Sequence, residues 1–531
     1  MNNLEELFLD LETNSLNPRN GQIELIGLAR GKREVLHKKV VDNELRKLLK
    51  EKNISKVFHN AKFDVGFLIN NGFEVNSYDC TLLMAQVLGE EKLSLKDLSQ
   101  KYLNVDIDKA LQHSDNWQGE ITQEHINYVK DDVKNTRALY YKLSELLVEH
   151  GLWEVYERER KALPAIVMLE NNGINMEFDK WDLKLNEDRK VAAELENSIK
   201  VLLNRPQLNL NSPKQIVDAI FEYGIKLHST SDDELAKYSD EHEVIRLIRK
   251  QRKLQTKIKT YGEKLKIFID EDNRIRADWK LIGALSGRMA CNKPPLQAMP
   301  GKSREFFVAE EGYKLVCADY SQVELRVLAS ITNDDTLVRY FKEEIDLHTG
   351  TASLIFKKSL DEISKEERQV AKSLNFGIVY GITAYGIHKN LRKSGLIVSI
   401  EEAEEYRLEF LKAYPKVKEL QDSLLRASYI KTLGGRRWES GRLSMTQRLN
   451  LPIQGSAAEG LKEALALLVE NIDEKWKLVA VVHDEILLEV PENDAEIAKQ
   501  VLENCMITGM KNIIKNIPIV VDSSISNNWC K

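Results

Sequence analysis

From Leu7 onward the chain alternates short apolar runs with polar breaks. Leu7–Leu11, Ile23–Ala29 and Lys56–His59 are strand-length runs, and residues 4–75 read as strands mixed with helices. Residues 80–148 read as helices. The pattern changes near Gly151, and from there to about Lys280 it predicts long, charged, amphipathic helices. These break at Pro206 and at Asn211-Ser212-Pro213, where Ser212 before Pro213 is a helix start. Strand signals return at Lys314–Ala318 and around Lys477–Val490, with helical periodicity over 334–430 between them. In the second run, Leu478–Val482 and Ile486–Leu488 flank His483-Asp484-Glu485, which predicts a β-hairpin with three polar residues at its turn. The expectation is a small α/β domain followed by a larger α+β body with two helical excursions.

Composition bounds this picture. A chain of 531 residues is long enough for two to four units. With 43% hydrophobic and 30% charged residues and only 11 Pro, it reads as helix-rich with substantial cores. No run of about 18 uncharged apolar residues appears, which argues against a membrane span. Met1–Leu11 carries acids and reads as a first strand instead of a secretory signal. Cys80, Cys291, Cys317, Cys505 and Cys530 are scattered with no CxxC pair, against a disulfide framework or zinc site and for a reducing cytoplasm. The net charge of -6 argues against nucleic-acid binding, but its distribution matters more. Between Arg246 and Lys266, Glu263 is the only acid among many Lys and Arg. That run is either a solvated helix face or a track for a polyanion.

Candidate chemistry falls into two groups. Asp10 and Glu12 stand two apart in Phe8–Thr13, and on a strand they share one face. There they repel unless a cation lies between them, although solvated strands often show the same spacing. His59-Asn60-Ala61-Lys62-Phe63-Asp64 supplies a further acid. Tyr128 and Asp132 are four apart in a helical pattern, so a phenol and a carboxylate lie side by side and can orient a water near a metal. Singly, a buried Asp also caps helices and a Tyr also fills cores.

In the second group, Lys314–Ala318 leads into Asp319-Tyr320-Ser321-Gln322-Val323-Glu324-Leu325-Arg326. An Asp at a strand end serves a metal or a helix cap. Arg368, Lys372, Phe376 and Tyr380 recur every four residues, predicting one gently turning helix face about 18 Å long. Two cations followed by two rings make a poor core stripe and suit a nucleoside triphosphate. Gly377 and Gly381 admit another backbone or end the helix.

In order and spacing, Asp10 with Glu12, Asp64, and Tyr128 with Asp132 resemble the exonuclease superfamily that includes proofreading domains. The resemblance implies that Asp10, Glu12, Asp64 and Asp132 hold two divalent ions while Tyr128 orients the attacking water. It also implies a solvated or outlying Asp131, with Thr13 and Asn60 helping to seat the terminal nucleotide. Asp319–Arg326, Arg368–Gly381 and His483-Asp484-Glu485 resemble the three polymerase motifs of the DNA polymerase I family. Ser286-Gly287-Arg288, Asp346-Leu347-His348, Thr432–Arg437 and Asn450–Ala458 are similar to its flanking signatures.

This second resemblance implies that Asp319 and Asp484 hold two Mg2+ ions, with Mn2+ able to substitute. The Tyr320 carbonyl adds a ligand, and Glu485 joins the catalytic group. Arg368, Lys372 and His348 grip phosphates, Phe376 packs against the incoming nucleotide, and Gln322 belongs to the same nucleotide site. Glu324 crowds a 2′-hydroxyl, and Tyr380 closes on the templating base. Arg288, Asn450, Gln454 and His483 touch the primer terminus and its minor groove, whose acceptors are common to every correct pair. Arg252, Lys253 and Lys257 track the duplex backbone.

The implied fold class is multidomain α/β plus α+β. An RNase H-like 3′–5′ exonuclease domain spans 1–148, and a right-hand polymerase domain spans 149–531, with thumb about 185–275, palm about 277–333 and 415–531, and fingers about 334–414. The implied activity is template-directed DNA synthesis with proofreading, for replication or repair, on primer-template DNA and deoxynucleoside triphosphates. A monomer in the cytoplasm of a bacterium or phage-infected cell is expected, with an organellar origin and any helicase partner left open. The chain begins at the exonuclease strand, so a 5′-nuclease domain is expected to be missing. Two departures stand out: Pro295 and Ala298 replace two Asn of the family's PNLQNIP, and Trp438 follows Arg437 where a basic residue is frequent. A nuclease on a degenerate polymerase body is opposed by intact Asp319, Lys372 and Asp484. A single-subunit RNA polymerase is opposed by Glu324 and the exonuclease motifs.

Overall fold

The computed structural model describes residues 5–529 except 34, 35, 39–41 and 112, so Cys530 lies outside the described residues. By its contacts the chain forms two compact units. The first comprises 1–171, 279–291 and 316–525, and the second 172–278, 292–315 and the residues from 526.

The first unit opens on β1 (Glu5–Thr13), whose Leu7, Phe8 and Leu9 are all buried because the strand runs through the middle of a sheet covered on both faces. With β2 (Ile23–Arg30), β3 (Leu36–Lys38), β4 (Ile54–Phe58) and β5 (Tyr78–Cys80) it forms a five-stranded sheet in the order β3-β2-β1-β4-β5. β1 is antiparallel to β2 and parallel to β4. Toward its end, period-2 alternation buries Leu9, Leu11 and Thr13 and leaves Asp10 and Glu12 on the opposite, less covered face. Helix α1 (Ala61–Asn70) follows β4, and the long α2 (Gln123–Glu149) starts at a capping box between Thr122 and His125. Asp10 faces Gly27 across the ladder. A Cβ on Gly27 would stand 2.7 Å from Val133 Cγ2 and 3.0 Å from the Val129 carbonyl, so a glycine there lets α2 come down onto the sheet.

Helix α3 (Trp153–Asn172) runs on from this layer into the rest of the first unit. The Tyr156 hydroxyl donates to Asp79 at 2.5 Å, and Arg160 lies 3.6 Å from the same carboxylate. Arg158 pairs with Glu463 at 2.8 Å, and Glu159 accepts from Lys462 at 2.6 Å and Arg436 at 2.5 Å.

The second unit carries α4 (Phe178–Leu202) and α5 (Glu243–Lys257), which pack through Leu185, Ala192 and Leu254 together with Ile258 just beyond α5. Between them Ser212 caps helix Pro213–Glu222, its hydroxyl accepting from Gln215 N, as the sequence predicts.

The first unit resumes with a four-stranded sheet, β6 (Tyr313–Tyr320), β7 (Lys477–Val482), β8 (Glu485–Pro491) and β9 (Val521–Ser526), in the order β7-β8-β6-β9. Residues 334–430 are helical as expected, and include α7 (Leu347–Phe356) and α8 (Lys365–Gly377), after α6 (Val323–Thr332). Helix α9 (Met445–Asn471) is buried nearly all round, and α10 (Ala495–Ile513) packs on it.

Two local expectations are corrected. The hairpin turn has two residues, His483 and Asp484. Glu485 is already in β8, buried and paired with Val482, and His483 takes the positive φ (59°) that so tight a turn requires. The series from Arg368 does not stay on one helix either. α8 ends at Gly377 and Ile378–Tyr380 forms a 3-10 turn, closed by Gly381 at φ 72°. Tyr380 therefore leaves the face shared by Arg368, Lys372 and Phe376. No helix among the described residues is long and apolar enough to cross a membrane.

Candidate active sites

The first site gathers at the C-terminal end of β1. One carboxylate oxygen from each of Asp10, Glu12 and Asp132 lies within 4.8 Å of the others. Asp64, buried in the first turn of α1, accepts from Leu11 N at 3.2 Å, which fixes it beside β1. Burial raises all four carboxyls, and for Asp10, Glu12 and Asp132 repulsion from neighbouring acids adds to it. Asp10 is pushed up to about 8 by burial and then by Asp64. Glu12 is pushed up to about 10 by burial and then by Asp10, Asp132 and Asp64. Asp132 is pushed up to about 8 by burial and then by Asp10, and burial also raises Asp64.

Asp10 Oδ2 and Asp132 Oδ1 are buried without a hydrogen-bond partner. Crowded hard oxygens with unsatisfied lone pairs are the donor set a divalent cation such as Mg2+ or Mn2+ takes, so these residues fit such an ion. Tyr128 and Asp132, one turn apart on α2, line one cavity together. Asp131 turns to solvent and pairs with Lys134 at 2.8 Å. Thr13 is buried, and its hydroxyl donates to the Ser15 carbonyl at 2.8 Å in the turn after β1. Asn60 adopts a left-handed conformation ahead of α1 with its side chain making no cap bond.

The second site is a cavity of about 420 Å3. Asp319, Tyr320, Gln322 and Glu324 line it from β6 and the start of α6, and His483 and Asp484 from the β7–β8 turn. Phe376 lines it from α8, and Arg288, Met289, Val323, Ala457, Ala458 and Leu461 supply the remainder. Tyr320 N donates to the Asp484 carbonyl at 3.3 Å, which brings the two acid-bearing segments together. The Tyr320 hydroxyl donates to the Met506 carbonyl at 2.7 Å, committing the ring to the core. Gln322 sits at φ 54° before α6 with Oε1 buried and unbonded. Glu324 pairs with Arg288. Burial raises its carboxyl, and the guanidinium opposes that rise. Asn450 and Gln454 lie one turn apart on α9, upstream of the lining alanines, and Asn450 Oδ1 is buried without a partner.

Beside Phe376, Arg368 makes a bidentate pair with Asp346 at 2.9 and 3.0 Å. Burial pushes Asp346 up, but Arg368 and Thr349 outweigh it and hold the carboxyl at about 2. His348 is buried, its Nδ1 2.9 Å from Asn375 Nδ2 and its ring 5.6 Å from Phe376. Burial lowers the imidazole to about 4, helped by Arg368 and Lys372 against Asp346, so it is neutral near pH 7. Lys372 is exposed on α8. Asp346 and Asn375 had no assigned role from sequence. The signal available was an acid two residues before His348 and an amide next to Phe376.

In the second unit the basic series divides. Arg252 donates to the Thr230 carbonyl, and Lys257 pairs with Asp188 at 2.8 Å over the Trp181 ring. Both fasten α5 to its own unit, which counts against them as phosphate-tracking side chains. Arg246, Lys250 and Lys253 are exposed.

A family model described as DNA polymerase family A matches residues 182–531. The chain belongs to DNA polymerase family A. A second model, described as 3′-5′ exonuclease, matches residues 1–148, so this family A enzyme is a DNA-directed DNA polymerase carrying a 3′–5′ exonuclease domain. The polymerase is 33% identical over 526 residues to the DNA polymerase I of Aquifex aeolicus (strain VF5), covering 92% of this chain and 89% of that protein. It is 29% identical to the DNA polymerase I of Rhizobium leguminosarum over 91% of this chain, but spans only 52% of that relative's length. The POL domain of Pol1 from M. smegmatis, solved in complex with DNA primer-template and dNTP, shares the fold. Its TM-score is 0.87 at 22% identity, over 100% of this chain and 96% of that one. The fold class is that of an RNase H-like exonuclease domain followed by a right-hand polymerase domain.

Proposed function

We propose that this polymerase copies primer-template DNA from deoxynucleoside triphosphates by a two-metal-ion mechanism at Asp319 and Asp484, and edits the primer by 3′–5′ hydrolysis at Asp10, Glu12, Asp64 and Asp132. The observation that carries the reading is the one cavity that Asp319 and Asp484 line together with Phe376 and the Arg288–Glu324 pair. Bound divalent ions, Mg2+ or Mn2+, would lower the pKa of the primer 3′-hydroxyl or of the editing water and neutralise charge on the departing group.

The chain's own residues do the rest. Phe376 offers an exposed ring for base and sugar, and Lys372 an ammonium for the triphosphate. Arg368 would have to exchange Asp346 for phosphate. Asn450, Gln454 and His483 would meet the primer terminus, Tyr380 the templating base, and Arg246, Lys250 and Lys253 the duplex phosphates. Tyr128 would hold the editing water against Asp132. Bacterial relatives are in keeping with a cytoplasmic role in replication or repair.

The direct test is a 5′-labelled primer on a longer template with Mg2+, with and without deoxynucleotides. Extension with them and stepwise shortening without them are expected. Shortening in both conditions would sink the polymerase reading, and extension with no shortening would sink the editing one. Asp10→Ala is expected to lower the shortening rate by about 10²-fold or more while extension persists, because it removes a donor from the cluster that crowds the cation. Glu324→Ala should raise the use of ribonucleotides relative to deoxynucleotides by about 10- to 100-fold, a packing-based discrimination. Competition between the two nucleotides in one extension reaction reads it, and an unchanged ratio would remove Glu324 from sugar selection.

A further inference from the structure

Helices α7 and α8 pack on each other, and most of the side chains they bury are apolar: Leu347, Ala352 and Ile355 on α7, and Val370, Ala371 and Leu374 on α8. Three polar side chains are buried with them. His348 and Thr351 stand one turn apart on α7, and Asn375 is on α8. Tyr414, between helices Ile400–Ala413 and Pro415–Arg426, completes the set and is 0% exposed. Each hydrogen in this group has one place to go. Thr351 Oγ1 donates to Asn375 Oδ1 at 3.1 Å, so the hydrogen in its 2.7 Å contact with the Tyr414 hydroxyl comes from the tyrosine. With Oδ1 taken in this way, Asn375 presents Nδ2 to His348, 2.9 Å from Nδ1. A donor at that position makes Nδ1 the accepting nitrogen, and a neutral imidazole with an accepting Nδ1 carries its hydrogen on Nε2. The four side chains form one run of donors directed from Tyr414 to His348.

The run ends beside the second site. The His348 ring lies 5.6 Å from Phe376, the next residue after Asn375, and Phe376 lines the cavity that Asp319 and Asp484 share. Asp346, two residues before His348, holds Arg368 on the same helix. The start of α7 therefore meets α8 along the face that carries Arg368 and Phe376. Among the described residues His348 Nε2 has no hydrogen-bond partner. A buried run of hydroxyls and an amide is a costly way to join helices, because apolar side chains pack as well and need no partners. What this run adds to packing is one donor of fixed identity next to the cations and the ring of α8.

We propose that Asn375, itself oriented by Thr351 and Tyr414, is a positioning residue for nucleotide binding: it locks His348 in the tautomer that offers Nε2–H to a phosphate oxygen of the incoming deoxynucleoside triphosphate. This rests on the reading of the second site as the polymerase site. The other tautomer would turn a lone pair toward the same oxygen and repel it, so the lock decides whether the contact attracts or repels. A hydrogen bond to an ionised oxygen is stronger than one between neutral groups, which makes a single N–H at this position worth about 10-fold in affinity.

One arm of the test needs no turnover. With only 10 histidines in the chain, 15N-labelled histidine gives a spectrum in which the His348 signals are identified by their loss in His348→Ala. In wild type without nucleotide, above the titration of the imidazole, Nε2 should carry the proton and Nδ1 should not. Asn375→Ala should populate both tautomers, and Thr351→Val, which removes the hydroxyl that orients Asn375, should shift the spectrum in the same direction. Single-nucleotide insertion reads the consequence. Asn375→Ala should raise the KM for deoxynucleotide by about 10-fold while kcat changes by less than about 3-fold. His348→Ala should raise KM at least as much, and the double variant should be no worse than His348→Ala, because a residue that acts through His348 then has nothing to act on. Primer shortening at the editing site reports that each variant is folded. A wild-type His348 with its proton on Nδ1 would overturn the proposal. So would an unchanged KM in His348→Ala, or single effects that multiply in the double variant, which is how independent packing defects behave. Wild type that inserts no better than Asp484→Ala would instead refute the polymerase reading, whichever tautomer is found.

Discussion

Asp484→Ala is expected to lower primer extension by at least about 10³-fold, while shortening of the same primer stays within about two-fold of wild type. Asp484 sits at a two-residue turn between strands buried along their length, so its backbone is fixed by β7 and β8 and its loss should not disturb the sheet. It faces the same cavity as Asp319, and the Tyr320 N–Asp484 carbonyl bond ties the two segments through main chain that the substitution leaves in place. What disappears is one of the two acids proposed to hold the cations. Single-turnover extension with saturating Mg2+ and nucleotide measures it, with Asp484→Asn separating charge from size. Near-normal extension in either variant would mean that the catalytic pair lies elsewhere. Loss of both activities together would point to misfolding.

The second large effect falls on stability. Glu159→Gln should destabilise the first unit by about 3–5 kcal/mol, the usual consequence of removing one partner from a buried ionic cluster. Glu159 is 1% exposed and Lys462 1%, by their side chains, and Arg436 is also buried. The Lys462 ammonium has Glu159 and the Gly287 carbonyl as its acceptors, each at 2.6 Å. Burial pushes Lys462 down to about 8, against the pull of Glu159. Removing that carboxylate lowers it further, so the variant sheds the proton at a pH where wild type keeps it. The folded-state value lies below the unfolded one, so the charged amine opposes folding at low pH and the penalty fades as pH rises. The destabilisation should therefore be largest near pH 6 and shrink toward and above pH 8. Urea midpoints at constant slope across that range measure it. A loss that does not depend on pH would assign it to packing and not to the stranded amine.

The contrast between what sequence reveals and what it hides follows from the range of the forces. The strands around Asp10 and Asp319 were legible because alternation and buried runs are local, and the spacing of Tyr128 and Asp132 because a helix repeats locally. Ser212 before Pro213 was legible for the same reason. The turn at His483 was one residue too long in sequence terms, because Glu485 is polar yet buried in β8, and only pairing with Val482 reveals that. Tyr380 was placed on a helix that Gly381 cuts short. Arg252 and Lys257 are expected from the resemblance to track the duplex backbone, and what local sequence does not show is that Thr230 and Asp188, far away in the chain, engage them. Asp346, seen only as part of a flanking signature, and Asn375 carry no role in the sequence because their pairing depends on Arg368 and His348 reaching them across two helices.

Helix α3 has an implication for how such a chain can lose its editing function. On one side it is bonded to Asp79 through Tyr156, and on the other to Lys462, Arg436 and Glu463 through Glu159 and Arg158. Deleting the layer ahead of it would uncover the buried Tyr156 and take the Asp79 partner from both Tyr156 and Arg160. Gradual loss is far cheaper by substitution at Asp10 or Asp132, which leaves this seam intact, than by deletion of the layer. An editing-deficient descendant of this enzyme is therefore expected to keep the whole five-stranded sheet as a silent scaffold.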